Sequence, residues 1–352
     1  KAKPFAGTFD GQGHEIKGLY LNTIADNAGL FGNTVDTAVI KDFKLTYSYL
    51  SSKGVALGGI VGYGMFESLS DIYSNAIVYT TNSYVGGFVG QINKGTSTKN
   101  AQIENCWFDG AVLQDNSESH SAGGFIGNDG VATPVIFKNC LSYGIVIGGY
   151  RVGGFYGWKN NYSVNEYYNC LSVSTVGSTS TNESYAKMVG SYFGNYNTST
   201  WNLKLVNSYA VGEPLTGVYS DADGPGKFEN DTYLKDRMTV IETGEKKLFP
   251  VLTGEQKNAW VNDIGYNDTD RGTPVLEKFA DWWFAENPAS GLEEMPGTKA
   301  DTKWYTEAPA GTTEFVIDSV EELLGLAELV NAGTDNFAGK TVKLGADIKL
   351  ND

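Results

Sequence analysis

The residues with the widest chemical reach are three cysteines, Cys106, Cys140 and Cys170, and two histidines, His14 and His120. Thiolates hold zinc together with His or further Cys. A zinc peptidase helix, however, needs two His at i and i+4 with a Glu between them, and His14 is followed by Glu15, Ile16, Lys17 and Gly18. His14 therefore reads as a turn residue hydrogen-bonded within its own segment. The cysteines read as small apolar residues of a core, with metal or redox chemistry as the alternative. Their odd number speaks against the even disulfide framework of a small secreted scaffold.

Sugar hydrolysis needs two carboxylates flanking the scissile bond. Asp71, Glu104, Asp109, Asp129 and Glu166 are scattered rather than paired; Asp71 and Asp109 could approach each other, although solvated turn positions account for them better. Lyase chemistry is short of bases, because Arg151 is the first arginine and the next is Arg237. Calcium suits oxygen ligands at alternate positions followed by Gly. Asp221 and Asp223 before Gly224, and Asp268 and Asp270 before Gly272, have that form as incomplete loops, with ordinary acidic turns as the other reading. Recognition chemistry is suggested by Tyr150, Tyr156, Trp158, Tyr162, Tyr196 and Trp201, accompanied by Tyr167 and Tyr192. Tyr and Trp present an apolar face with a polar tip, which suits stacking on sugars, yet the same rings could fill a core.

The elements that would position these residues follow from a repeat. Gly, a small residue, two apolar residues and Gly recur as AGLFG ending at Gly32, GGIVG at Gly62, GGFVG at Gly90, GGFIG at Gly127 and GGFYG at Gly157, with a looser MVGSYFG at Gly194. A period near thirty residues marks a solenoid. A second signature follows each copy: IKDFKL from Ile40, IENCWFDGAV from Ile103, FKNCLSYGIV from Phe137, YNCLSVSTV from Tyr168 and LVNSYAVG from Leu205. Asp42, Asn105, Asn139, Asn169 and Asn207 fall in register there, and the apolar residues around them alternate at period two, which is a strand pattern. Three short strands per coil are expected, one at the glycine motif and one on each side of the Asn. Asn tolerates a left-handed bend, and stacked amides can bond along the axis. Cys106, Cys140 and Cys170 then form an inward file, with Phe43 and Ser208 at the same station. Glycine is expected to supply further positive-φ corners and room for close approach. The fold class is all-β, a right-handed parallel β-helix over residues 1–212.

These residues resemble the GLUG-repeat proteins of bacteria, named for the Gly-Leu-apolar-Gly motif seen here as AGLFG. FAGTFDGQGHEIKGLYL, from Phe5 to Leu21, is similar to that family's opening coil. The resemblance covers residues 4 to about 212. It implies an adhesin-like protein in the extracellular space or on the bacterial cell surface. Lys1 falls inside what reads as a structured motif, so any signal peptide is expected to lie upstream of it.

Charge divides the chain. Residues 1–212 hold 14 acidic and 13 basic side chains, leaving 27 acidic and 13 basic in residues 213–352, out of 41 and 26 in all. Nucleic acid is disfavoured as a partner, since no Lys/Arg cluster offers itself to phosphates. Membrane insertion is disfavoured because no run approaches the roughly 18 to 20 apolar residues of a spanning helix. Residues 213–285 are expected to close the β-helix, with Trp260, Trp282 and Trp283 in the plug. Residues 286–313 read as a linker. Residues 314–352 read as strand, helix and strand, with Asp318 or Ser319 capping a helix whose apolar face is Val320, Leu323, Leu324, Ala327 and Val330. In the resembling family such a piece precedes the first coil. Here it comes last, so it is expected to belong to a following tandem unit or to cap a neighbouring molecule head to tail.

The expected function is a non-catalytic binding or structural module that meets a host or microbial glycan or a protein. The alternatives are a stalk or filament subunit, and a carbohydrate-active enzyme on the same fold. No cofactor is required, calcium apart.

Overall fold

The computed structural model describes residues 3–93, 95–115, 120–129, 133–160, 165–197, 203–211, 239–241, 260–263, 273–279, 282 and 299–350. Over the first 211 residues the chain winds as a parallel β-solenoid, each turn stacked in register on the last. One turn runs through Ser68–Ser74, Ile77–Thr80, Tyr84–Gly86 and Val89–Ile92 before Ala101–Glu104 opens the next. The turn therefore has more strands than the three expected. The glycine motif is itself two strands with a bend between them, and a separate strand stands before it. Four parallel sheets result, and the first is bent where the Asn station interrupts it.

Register explains the apolar spacing. Ile40, Leu69, Ile103, Phe137, Tyr167 and Leu205 are aligned rung by rung on the sheet that precedes the Asn bend. Five of the six are fully buried. Opposite them stands the motif's aromatic file. Phe88, Phe125, Phe155 and Tyr192 stack at centroid separations of 4.8, 4.9 and 4.5 Å. A flat ring repeated at the strand spacing meets the ring of the next turn face to face, so an aromatic residue recurs at this position over four successive turns, where the first two copies carry Leu30 and Ile60.

The motif glycines do something other than turn a corner. None of those in the five clear copies has a positive φ. Instead, the two strands of the motif cross in direct backbone contact. A Cβ on Gly86 would lie 2.1 Å from Val89 O and 2.6 Å from Phe125 O, and one on Gly90 would lie 2.5 Å from Leu57 N. Any side chain would force the strands apart. Close approach, not backbone freedom, fixes glycine at these positions.

The C-terminal piece sits on the first turn of its own chain. Thr341–Leu344 pairs in parallel with Thr8–Asp10, Ile348–Lys349 with Glu15–Lys17, and Glu314–Ile317 adds the outermost strand. His14 is bonded within its own coil through its backbone, its N–H donating to Gly11 O at 2.9 Å, while its side chain reaches across this joint: Nδ1 lies 3.0 Å from Asp347 Oδ1, which also accepts Glu15 N–H at 2.9 Å. Helix Val320–Asn331 starts at Ser319, whose hydroxyl accepts Glu322 N–H, while Glu322 Oε2 accepts Asp318 N–H at 2.8 Å. This reciprocal arrangement satisfies donors that a helix start leaves open. Its buried residues are Leu323, Gly325, Leu326 and Leu329; Ala327, expected inside, is exposed. The face is rotated because the helix is packed on a second side by residues that were read as linker. Lys303–Thr306 is a helical turn whose Trp304 lies against Phe315 and Phe337, and Asp301 O touches Gly325. Residues 299–313 thus belong to the cap.

Between solenoid and cap, short pieces of the chain are described. Thr239–Ile241 adds a strand beside Tyr209–Val211, and Trp260–Asp263 pairs antiparallel with Thr273–Leu276. Phe279 and Trp282 then pack on Tyr73, at 6.0 and 4.7 Å between ring centroids. Trp282 is therefore not a plug at the far end, as expected, but part of a strap against the early turns. It finds there an outward file of Tyr73, Trp107, Leu141 and Leu171, which a lone sheet would leave wet. The side chain of Trp260, and Trp283 altogether, lie outside the described residues.

Candidate interaction surface

The Asn stations form a continuous ladder on one edge. Asp42, Asp71, Asn105, Asn139, Asn169 and Asn207 all hold a left-handed backbone, with φ between 46° and 61°. Asn169 Nδ2 donates to Asn139 Oδ1 at 2.7 Å, Asn139 Nδ2 to Asn105 Oδ1 at 3.0 Å, and Asn105 Nδ2 to Asp71 Oδ1 at 3.1 Å. A carboxylate accepts and cannot donate, so the chain of amides stops at Asp71. Asp42 and Asp71 would then face each other as like charges. Lys278 of the returning strap resolves this, with Nζ 3.2 Å from Asp42 and 3.7 Å from Asp71. Burial opposes the ammonium charge, but the two carboxylates together hold its pKa above the ordinary value. Asp71 is thus a rung of the ladder, not half of a carboxylate pair with Asp109. The signal was present in SLSDIYS, which keeps the apolar-x-Asp spacing of its neighbours.

Asp109 has another role. Tyr73 Oη donates to its Oδ2 at 2.8 Å. Burial pushes the Asp109 carboxyl up to about 7, with the Tyr73 hydrogen bond pulling the other way. Of the remaining acids, Glu166 accepts the Tyr168 hydroxyl and lies 3.7 Å from Lys204, and Asp129 pairs with Lys159. These acids go to separate places.

Cys106, Cys140 and Cys170 are free thiols with no solvent exposure, one residue beyond successive Asn rungs. Burial pushes the Cys106 and Cys140 thiols well up, which keeps them protonated and unreactive. Cys106 Sγ lies 3.3 Å from Glu104 O and Cys140 Sγ 3.2 Å from Lys138 O, as weak donors. Ile72 stands at this station between Phe43 and Cys106.

The aromatic residues divide. Tyr156, Tyr167 and Tyr192 are fully buried, so Tyr156 is a core residue rather than a surface one. Its ring packs on Phe137 and Phe193, because the variable position of the glycine motif points inward. Tyr150 is 7 % exposed, and Trp158 and Arg151 are half-buried. These three meet: the Arg151 guanidinium carbon lies 4.2 Å from the Tyr150 ring centroid and 4.1 Å from that of Trp158. Tyr185, on the helical turn Glu183–Ala186, closes against Tyr150 edge to face at 4.7 Å. Arg151 itself has φ 51°, an uncommon backbone for a long side chain, held where the loop enters Val152–Gly153. In the sequence Arg151 stands out only as a scarce base. Its place between two rings is set by the stacking of turns, which no spacing displays.

Tyr162, Trp201, Asp221, Asp223, Asp268 and Asp270 lie outside the described residues, as does the side chain of Tyr196. No group of three or more His, Cys, Asp or Glu able to hold a metal occurs among the described residues. No helix among them is long and apolar enough to cross a membrane. Comparison with family models, with curated proteins and with solved structures gives no match.

Proposed function

We propose that the chain is a non-catalytic binding module of an adhesin-like protein at the bacterial cell surface, with a glycan or protein as partner. The observation that carries this reading is half-buried Arg151 held between Tyr150 and Trp158 on the stack of turns. A guanidinium fixed between rings gives up little freedom when it binds, and a guanidinium is the cation whose planar donors match a carboxylate. The half-buried Trp158 ring beside it supplies an apolar face for a sugar. An acidic glycan therefore suits the site best. The surface location rests on the GLUG-like repeat and not on the geometry.

A glycan array probed with the purified chain tests this reading. Binding concentrated on carboxylate-bearing sugars, and lost at least about tenfold in R151A and W158A, is expected, since each contact of this kind contributes on the order of 1 to 2 kcal/mol. Binding unchanged in both variants would remove the cluster from the recognition surface.

A further inference from the structure

Asp129 and Lys159 stand at adjacent rungs, one residue beyond the aligned pair Asn128 and Trp158. Neither side chain has any solvent exposure. The preceding turn places Ile92, fully buried, opposite Asp129. A charged pair thus occupies a station that an apolar residue fills one turn earlier. Taking two charges out of water costs more than an apolar pair of similar volume in many proteins, so stability alone does not account for the choice.

The surroundings are arranged around one carboxyl carbon. Lys159 Nζ contacts Asp129 Oδ2 and donates to Thr133 O at 3.3 Å. Thr133 N–H points at the carboxyl from the other side, 3.0 Å from Oδ1 and 3.2 Å from Oδ2. The Tyr156 ring lies 5.7 Å from Nζ and walls the site. Burial pulls the Lys159 ammonium below its ordinary value against the attraction of Asp129, so the uncharged amine is within reach.

We propose that Lys159 and Asp129 are joined by an isopeptide bond between Nζ and Cγ, a covalent cross-link between two neighbouring turns. The ammonium gives a proton to the carboxylate, leaving an amine beside a carboxylic acid. The amine's lone pair attacks Cγ, and Thr133 N–H steadies the charge that develops on Oδ1. The nitrogen then loses its second proton, Thr133 O holding the N–H as it goes, and Oδ2 departs with both protons as water. One N–C bond forms, one C–O bond breaks, and no oxidant, reductant or cofactor takes part. Holding the two groups in contact supplies the effective concentration that free amine and acid lack.

Intact-mass measurement on the purified full chain, followed by a tryptic map, tests the bond. The expected result is a mass lower than the sequence by one water, with the peptides containing Asp129 and Lys159 recovered as one branched species. The full sequence mass with two separate peptides would overturn it. So would a lost water that persists in K159R, because that places the dehydration at the Asp129–Gly130 peptide as a succinimide. In D129A, which leaves no carboxyl to condense, the water is regained.

Discussion

Asn105 and Asn139 each pair a left-handed backbone with a side chain that donates to one neighbour and accepts from the other. Asn139 does so between Asn105 and Asn169. In N139A the alanine must hold φ near 52° and the two neighbours lose a partner. The expected cost is about 3 to 4 kcal/mol, from a left-handed penalty of about 1 to 2 and two amide bonds of about 1 each. Urea unfolding measures it, and N139G, which is free of the backbone penalty, should recover roughly half. Asp109 makes a prediction of opposite sign to the usual acid. Its carboxyl is raised to about 7 from 3.8, so between those values the folded chain binds a proton that the unfolded chain has released. Its contribution is complete below about 4, declines as pH rises to about 7 and is flat above. The urea midpoint should fall across that window in the wild type, and D109N should flatten the slope.

Within the cap, Gly325 decides between two effects of opposite sign. In an open helix, Gly→Ala stabilises by about 1 kcal/mol. Here an added Cβ would sit 1.9 Å from Asp301 O, backbone that cannot swing aside. G325A is therefore expected to loosen the contact between Val320–Asn331 and Lys303–Thr306. Hydrogen exchange in Thr341–Leu344 should rise while exchange in Ser68–Ser74 stays the same; unchanged or slower exchange in the cap would show that helix propensity prevails. The strap depends less on its ion pair than on its rings. Lys278 is 43 % exposed, and exposed pairs contribute at most about 1 kcal/mol. Phe279, at 6 % exposure on the Tyr73 file, contributes more through burial.

For the molecule as a whole, the strap brings the chain back beside the early turns before the cap begins, which favours closure within one molecule over donation to another. The solution mass should therefore be that of a monomer at all concentrations, by light scattering. Deleting residues 299–350 would bare Phe5, Phe9 and the edge of Thr8–Asp10, and concentration-dependent association is expected, since an open sheet edge pairs with another. Association of the intact chain that the deletion abolishes would instead mean the cap is exchanged between molecules.

Period and register were legible in the sequence, because every turn repeats the same local demands. The parallel solenoid, the Asn ladder from Asn105 to Asn207 and the buried cysteine file all follow from residues that meet their own copies one turn away. The crossing of backbones at Gly86 and Gly90 was half legible: the glycines announced a constraint, but not that strands rather than corners imposed it. What only the tertiary structure decided lies where residues distant in sequence meet. Lys278 between Asp42 and Asp71, Asp347 on His14, Arg151 between two rings and Trp282 on Tyr73 depend on which turn a returning segment reaches. Nothing in a repeat's local pattern encodes that choice, because each turn offers nearly the same surface and only the global path selects one.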